Sequence, residues 1–221
     1  PSKMVPINYL KKLIFLKMHW KDEGFLLSRN SFDENSIIIE SFTLNHGKYV
    51  GIVYGGSSRK HKRNFQIGNK IMLNWNSKSQ NKTGYFNVEL IEPIAPLFFD
   101  NKKKTICILA AASILKILLP ERQVNKKIYT SFNKLLINFK DSDWIKSYLH
   151  WELFLIKEFG YEINLFSTAP KILFDKNYSN YSNKEVNEAL IYNKNLLLKI
   201  FLTPNRLNIP LSRIILEKYF S

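Results

Sequence analysis

The run "GGSSRKHKRNF", Gly55 to Phe65, puts four cationic side chains, Arg59, Lys60, Lys62 and Arg63, within five positions of a glycine-started turn. Like charges this close repel one another and oppose compaction, so an anionic partner is the natural beneficiary. A solvated turn would account for the run taken alone, but its surroundings argue otherwise. From residue 41 to residue 88 there is no Asp or Glu, while Lys48, Lys70, Lys78 and Lys82 join the cations of the turn. A general lysine bias adds cations but does not remove acids, which return from Glu89 onward. Interleaved with the cations are Phe42, Tyr49, Tyr54, Phe65, Trp75, Tyr85 and Phe86. Ammonium and guanidinium groups bind polynucleotides by displacing counterions, and flat rings stack on unpaired bases with little preference among them. The expected DNA contacts are Lys48, Arg59, Lys60, Lys62, Arg63, Lys70, Trp75 and Lys82, with Trp75, between Asn74 and Asn76, as the exposed stacking ring. His61 would add a hydrogen bond to phosphate. No Arg-bearing recognition helix is visible, so binding without sequence preference is expected, single strands being favoured where stacking contributes.

Equipment for catalysis is not visible. His19, His46, His61 and His150 show no HxH or HExxH spacing, and no P-loop or dinucleotide glycine motif occurs, so no catalytic residue, metal or cofactor is expected. His150 and Glu152 lie two apart, and such residues do not face each other on a helix. Cys107 is the sole cysteine, in the apolar run "TICILAAASILKILL", and reads as a core residue; neither a disulfide framework nor a cysteine zinc cluster can form within the chain.

Length and composition set the frame. The 221 residues are 45% hydrophobic and 14% aromatic, ample for a buried core, and the net charge of +15 points to nucleic acid or an anionic membrane surface. No segment approaches the roughly 18 consecutive apolar residues of a membrane helix, and the longest apolar stretch near the start, Leu13 to Leu16, is short for a signal-peptide core. A cytoplasmic protein with no membrane partner is expected. "MHWKDEGFLL" reads as a protein start at Met18, so residues 1–17 are expected to be a non-native or disordered extension outside the fold.

The elements that would position the cations follow. "GFLLSRN", "SIIIESFTL", "KYVGIVYGG", "KIMLNWN" and "YFNVELIEPI" are five short runs rich in β-branched and aromatic residues, separated by Asn, Asp, Gly and Ser. "NHGK" and "QIGN" supply residues that tolerate positive φ in turns. Five such strands suit a small barrel, with the OB-fold the best-known solution and an SH3-like barrel of similar strand count as the alternative. After the linker "EPIAPLFFDNKKK" the periodicity becomes helical. "KTICILAAASILKILLPER" is apolar nearly all round, as a central helix would be; "NKKIYTSFNKLLINF" has one apolar face; "DSDWIKSYLHWELFLIKEFGYEINL" opens with capping acids and a serine and stops at Gly160. "KEVNEALIYNKNLLLKIFL" and "IPLSRIILEKYF" suggest two more helices. The expected fold class is α+β: an N-terminal five-stranded OB-fold β-barrel over 18–96, then an all-α helical domain over 97–221.

"MHWKDEGFLLSRNSFDENSIIIESFTLNHGKYVGIVYGG", "LLPER" and "WELFLIKEFGYEINL", in this order, resemble the RecO family of bacterial DNA repair and recombination proteins over most of the chain from Met18 onward. The resemblance implies an OB-fold followed by helices, binding of single- and double-stranded DNA, and annealing of complementary strands. It also implies partnership with RecR and with the C-terminal tail of single-stranded-DNA-binding protein in loading RecA. Many members of that family carry a cysteine zinc module after the segment that here reads "EFGY"; this chain has "FSTAPKILFDKNYSNYSNKEVN" there, without cysteine, which suggests a shortened, loosely ordered loop. Two other classes of function are open at this level: a protein adaptor whose basic surface recruits acidic tails with little direct DNA affinity, and a cryptic nucleic-acid enzyme.

Overall fold

The structure is a computed structural model that describes residues 18–58, 64–77, 83–161, 169–175 and 177–221. Five strands, β1 (Met18–Ser31), β2 (Ser36–Thr43), β3 (Gly47–Tyr54), β4 (Lys70–Ser77) and β5 (Gly84–Glu92), close into a barrel in the order β1-β2-β3-β5-β4. All neighbours are antiparallel except β3 and β5, which run parallel through Gly51↔Gly84 and Ile52↔Tyr85. That Greek-key order with its parallel closure is the OB-fold arrangement, not the SH3-like alternative.

Closure depends on the length of β1. Its first half, Met18–Phe25, pairs with β4, and its second, Gly24–Ser31, pairs with β2, with a register shift between Leu26 and Ser28 that bends it from one neighbour to the other. The sequence placed the first strand from Gly24. The structure starts it at Met18, because pairing with β4 recruits the polar run "MHWKDE", which carries no strand pattern of its own.

The barrel is filled by Leu26, Ile39, Phe65, Leu73, Trp75 and Phe86, among others. On the outer side of β1 and β2, Phe25, Leu27 and Phe42 belong instead to the core of the helical half. Both faces of β1 are therefore buried, and one wall of the barrel is the floor on which the helices sit.

Those helices are α1 (Lys102–Leu118), α2 (Lys126–Asn138), α3 (Trp144–Glu158), α4 (Asn183–Leu197) and α5 (Leu211–Lys218). α1 is the central one: Cys107, Ile108, Ala110, Ala111, Ala112, Ile114 and Leu115 are buried, and its Ser113 hydroxyl accepts from the Ser212 hydroxyl of α5 at 3.1 Å. Asn101 caps α1 and Asn125 caps α2 through their side-chain oxygens. At α3 the expected acid cap is absent: Asp143 occupies the N-cap position, but its carboxylate accepts from the Tyr181 hydroxyl at 3.2 Å instead of from the helix. α3 ends at Gly160, in the left-handed region at φ +90°.

The chain beyond Gly160 departs from the loose loop expected there. Among the described residues, Ile172 and Leu173 are buried in a short 3₁₀ turn, Lys171–Leu173. The carbonyl of Ile172 lies 2.9 Å from His150 Nε2, and Lys146 Nζ donates to the carbonyl of Tyr178 at 2.8 Å. The Tyr178 hydroxyl donates to Glu185. These contacts pin a segment that has no hydrophobic period for a reader of sequence to find. No described helix is long and apolar enough to cross a membrane.

Candidate nucleic-acid interface

β3 and β5 meet in the parallel seam that closes the barrel. Side chains alternate across it. Val53 and Phe86 point inward and are buried, so their neighbours Tyr54 and Tyr85 point outward; Tyr54 is 67% exposed and Tyr85 half-buried. The two phenol rings stand 6.0 Å apart at an interplanar angle of 50°. Gly51 and Gly84 face each other beneath them, and a Cβ at Gly84 would overlap the indole of Trp75, so the seam can close only over glycine.

The two basic segments connect β3 to β4 and β4 to β5. Arg59, Lys60, Lys62 and Arg63 of the turn, together with Lys78 and Lys82, lie outside the described residues, so only the roots of their segments are described. After Tyr54 the chain is held where the Ser57 hydroxyl donates to the Glu34 carbonyl at 2.9 Å. It returns at Phe65, which plugs the barrel, and at Asn69, whose side-chain oxygen accepts from the Ala95 amide at 3.0 Å. The second segment leaves after Ser77 and rejoins β5 next to Tyr85.

Two expected contacts are corrected by the structure. Trp75 is 1% exposed and fills the barrel, stacked on Trp20 at 5.7 Å; Ile71, Leu73 and Trp75 share the inward phase of β4, which turns Asn74 and Asn76 outward. It cannot meet a base.

Lys48 is 8% exposed and serves as an internal strut, its Nζ donating to the carbonyl of Lys116 at 2.6 Å and its own carbonyl accepting from the Arg122 amide at 2.9 Å. Burial pulls its pKa below the ordinary lysine value, against the opposing pull of Glu40 and Glu121. The physical reason is its place opposite Phe42, on the wall the helices cover. The turn before it fits the same contact: Gly47 has φ +78°, and a side chain there would collide with the backbone of Gln123.

Lys70 Nζ lies 2.9 Å from Glu23 Oε1, which also accepts from the Tyr129 hydroxyl at 3.0 Å. The stretch from residue 41 to residue 88 is acid-free along the chain, but β1 and β2 bring Glu23 and Glu40 against it in space; Glu40 pairs with Lys116 at 2.8 Å.

The lower mouth of the barrel holds an aromatic cluster that sequence reasoning did not single out. Trp20 stacks on His46 at 4.2 Å and 8°, and Arg122, from the "LLPER" run, lies over the Tyr49 ring at 5.3 Å. His46 Nδ1 is 2.9 Å from Asp22 Oδ2, and Asp22 also accepts from the backbone amide and side-chain nitrogen of Asn45 at 2.7 and 3.0 Å. Burial works to raise the Asp22 carboxyl, but the hydrogen bonds from His46 and Asn45 outweigh it and hold the group below the usual aspartate value.

In the helical half a groove of about 590 Å³ runs between α2 and α3. Leu135, Trp151 and Phe154 line it, with Lys134, Lys146 and His150 among its polar groups. No group of three or more His, Cys, Asp or Glu that could hold a metal occurs among the described residues. Cys107 is fully buried and its thiol pKa is pushed up by that burial, so the chain's residues do not fit a cysteine zinc module.

Residues 18–94 match the family described as Recombination protein O N terminal, and residues 101–210 match Recombination protein O C terminal. The DNA repair protein RecO of Wolbachia sp. subsp. Drosophila simulans (strain wRi) is 32% identical over 154 residues, which cover 69% of this chain and 63% of that protein. The DNA repair protein RecO of Roseobacter denitrificans (strain ATCC 33942 / OCh 114) is 33% identical over 153 residues, 69% of this chain and 64% of that one. The matched part thus spans a little under two thirds of the length of these relatives. With both halves of the chain matched in order, and with a barrel and a helical half as the fold, the chain belongs to the RecO family.

Proposed function

We propose that this chain is a non-catalytic, cytoplasmic DNA-binding protein of recombinational repair. It binds single- and double-stranded DNA, anneals complementary strands and, with RecR, helps load RecA onto DNA coated by single-stranded-DNA-binding protein. One observation carries the reading: the helices cover the β1–β2 wall, while Tyr54 and Tyr85, which precede the first cation-bearing segment and follow the second, lie outward on β3 and β5. Arg59, Lys60, Lys62, Arg63 and Lys82 would attract a polynucleotide through its phosphates. Annealing follows from charge neutralisation, because screening the phosphates of two strands lowers the repulsion that opposes their pairing.

The groove between α2 and α3 supports a second role. An apolar floor of Leu135, Trp151 and Phe154 beside Lys134 suits an acidic peptide ending in apolar residues, such as the tail of single-stranded-DNA-binding protein. That same groove is what favours the alternative reading, an adaptor that recruits acidic tails with little DNA affinity of its own.

Titration against oligonucleotides over a range of salt separates the two. If about five phosphates are neutralised, single-strand affinity falls roughly a hundredfold between 50 and 200 mM salt. Replacing Arg59, Lys60, Lys62 and Arg63 by alanine should flatten that slope and reduce annealing, while Lys48→Met, at the buried strut, should leave the slope unchanged. Intact DNA binding and annealing in the four-alanine variant would overturn the assignment of the turn. Absence of DNA binding by the unaltered chain, with tail binding retained, would favour the adaptor.

A further inference from the structure

We propose that Tyr54 and Tyr85 form a two-ring platform that stacks unpaired bases, giving the barrel its preference for single strands. The inference rests on the DNA-binding reading above and adds to it a base-contacting site that involves none of the cations.

Geometry comes first. Both rings stand on the outer side of the barrel, as neighbours across the parallel β3–β5 seam. Neither can turn inward, because Val53 and Phe86, one position away on each strand, already fill the barrel and a shift of one residue would exchange core for surface. At 6.0 Å and 50° the rings are not stacked face to face, so Tyr54, two-thirds exposed, has a face open to a flat ligand.

Charge fixes the kind of ligand. Tyr54 precedes Arg59 by five residues and Tyr85 follows Lys82 by three, so each ring is tied by the chain itself to a cation-bearing segment. Acids bracket the pair: Glu89 is exposed farther along the same face of β5, and Glu34 lies beside Ser57. A phosphate backbone is thereby repelled from the far end of β5 and from the β1–β2 turn. It is attracted to the cations that follow Tyr54 and precede Tyr85 along the chain. Stacking needs a free base face, which single strands offer and duplexes do not.

The test uses the full chain with three probes: a labelled oligothymidylate, the same backbone made abasic throughout, and a duplex. Tyr54→Ala should weaken oligothymidylate binding about tenfold, and Tyr54→Ala with Tyr85→Ala up to about a hundredfold. Affinity for the abasic and duplex probes, and the slope of affinity against salt, should stay at their unaltered values, which also shows that the variants are folded. Tyr54→Phe should behave as the unaltered chain. Oligothymidylate binding by the double variant as tight as that of the unaltered chain would overturn the platform while leaving DNA binding by the cations standing. Equal losses on all three probes would overturn it as well, since an effect blind to bases is not stacking. Failure of the unaltered chain to bind any probe in dilute buffer would overturn the DNA-binding reading and the platform with it.

Discussion

Asp22 sits almost enclosed at the barrel mouth, where Asn45, His46 and the Glu23 amide all point hydrogen-bond donors at its two oxygens. A carboxylate so solvated by protein is favoured in its ionised form, and its pKa is lowered relative to the unfolded chain. The sign follows from linkage. Between the folded and unfolded pKa values the unfolded state binds more protons, so the stabilisation is present above the unfolded value near 4 and is lost as pH falls through the folded one. Asp22→Asn, which replaces an acceptor by a donor facing donors, should cost about 2 kcal/mol at pH 7. The gap between variant and unaltered chain in thermal midpoint should narrow as pH falls below 4; a gap that stays constant would refute the linkage. At this scale the sequence was legible only in part. Trp75 looked exposed because asparagines flank it, yet the period of two through Ile71 and Leu73 places it inside, and the same counting along β3 and β5 turns Tyr54 and Tyr85 outward. Lys48 was misjudged for a different reason: its partner, the Lys116 carbonyl, is distant in sequence.

Elements were read more successfully where a period exists. Among the described residues, the five strands and five helices overlap the runs that alternation or helical spacing marked, since burial of one face imposes that pattern on any sequence that folds this way. The misses are segments held by individual contacts: Met18–Glu23, drawn into β1 by β4, and the residues after Ala169, pinned by His150, Lys146 and Glu185. One such device lies at the start of α4, where the Ser182 hydroxyl accepts from the Glu185 amide while the Glu185 carboxylate accepts from the Ser182 amide at 2.8 Å. This capping box satisfies two donors that the helix itself leaves free. Glu185 also accepts from the Tyr178 hydroxyl, so one carboxylate fixes both the helix start and the segment before it. Ser182→Ala should lower stability by about 1 kcal/mol, read as a shift of the denaturant midpoint with unchanged slope. An unshifted midpoint would mean that the box contributes nothing beyond what water supplies.

For the molecule as a whole, the question is what keeps the helical half a firm support for the barrel. Because Phe25, Leu27 and Phe42 lie in the helical core, neither half can unfold without exposing apolar surface on the other, and one cooperative transition is expected. The C-terminal end of that core is α5, an eight-residue helix too short to persist without tertiary contacts. Arg213 on α5 is fully buried and pairs with the equally buried Glu152 of α3, its Nε donating at 2.6 Å and a terminal nitrogen at 3.2 Å. Around them the Tyr148 hydroxyl and the Asn193 side chain donate to Glu152, and Arg213 donates to the carbonyl of Leu190 at 2.6 Å, so α3, α4 and α5 meet in one network. Removing one charge from such a pair strands the other in a medium that cannot solvate it. Arg213→Ala should therefore destabilise by about 3–5 kcal/mol, and Glu152→Gln combined with Arg213→Met, which removes both charges and keeps most of the volume, should cost much less. Chemical denaturation of both variants decides the matter. If the double substitution is as damaging as Arg213→Ala, the network holds α5 by its specific hydrogen bonds and not by mutual compensation of two buried charges.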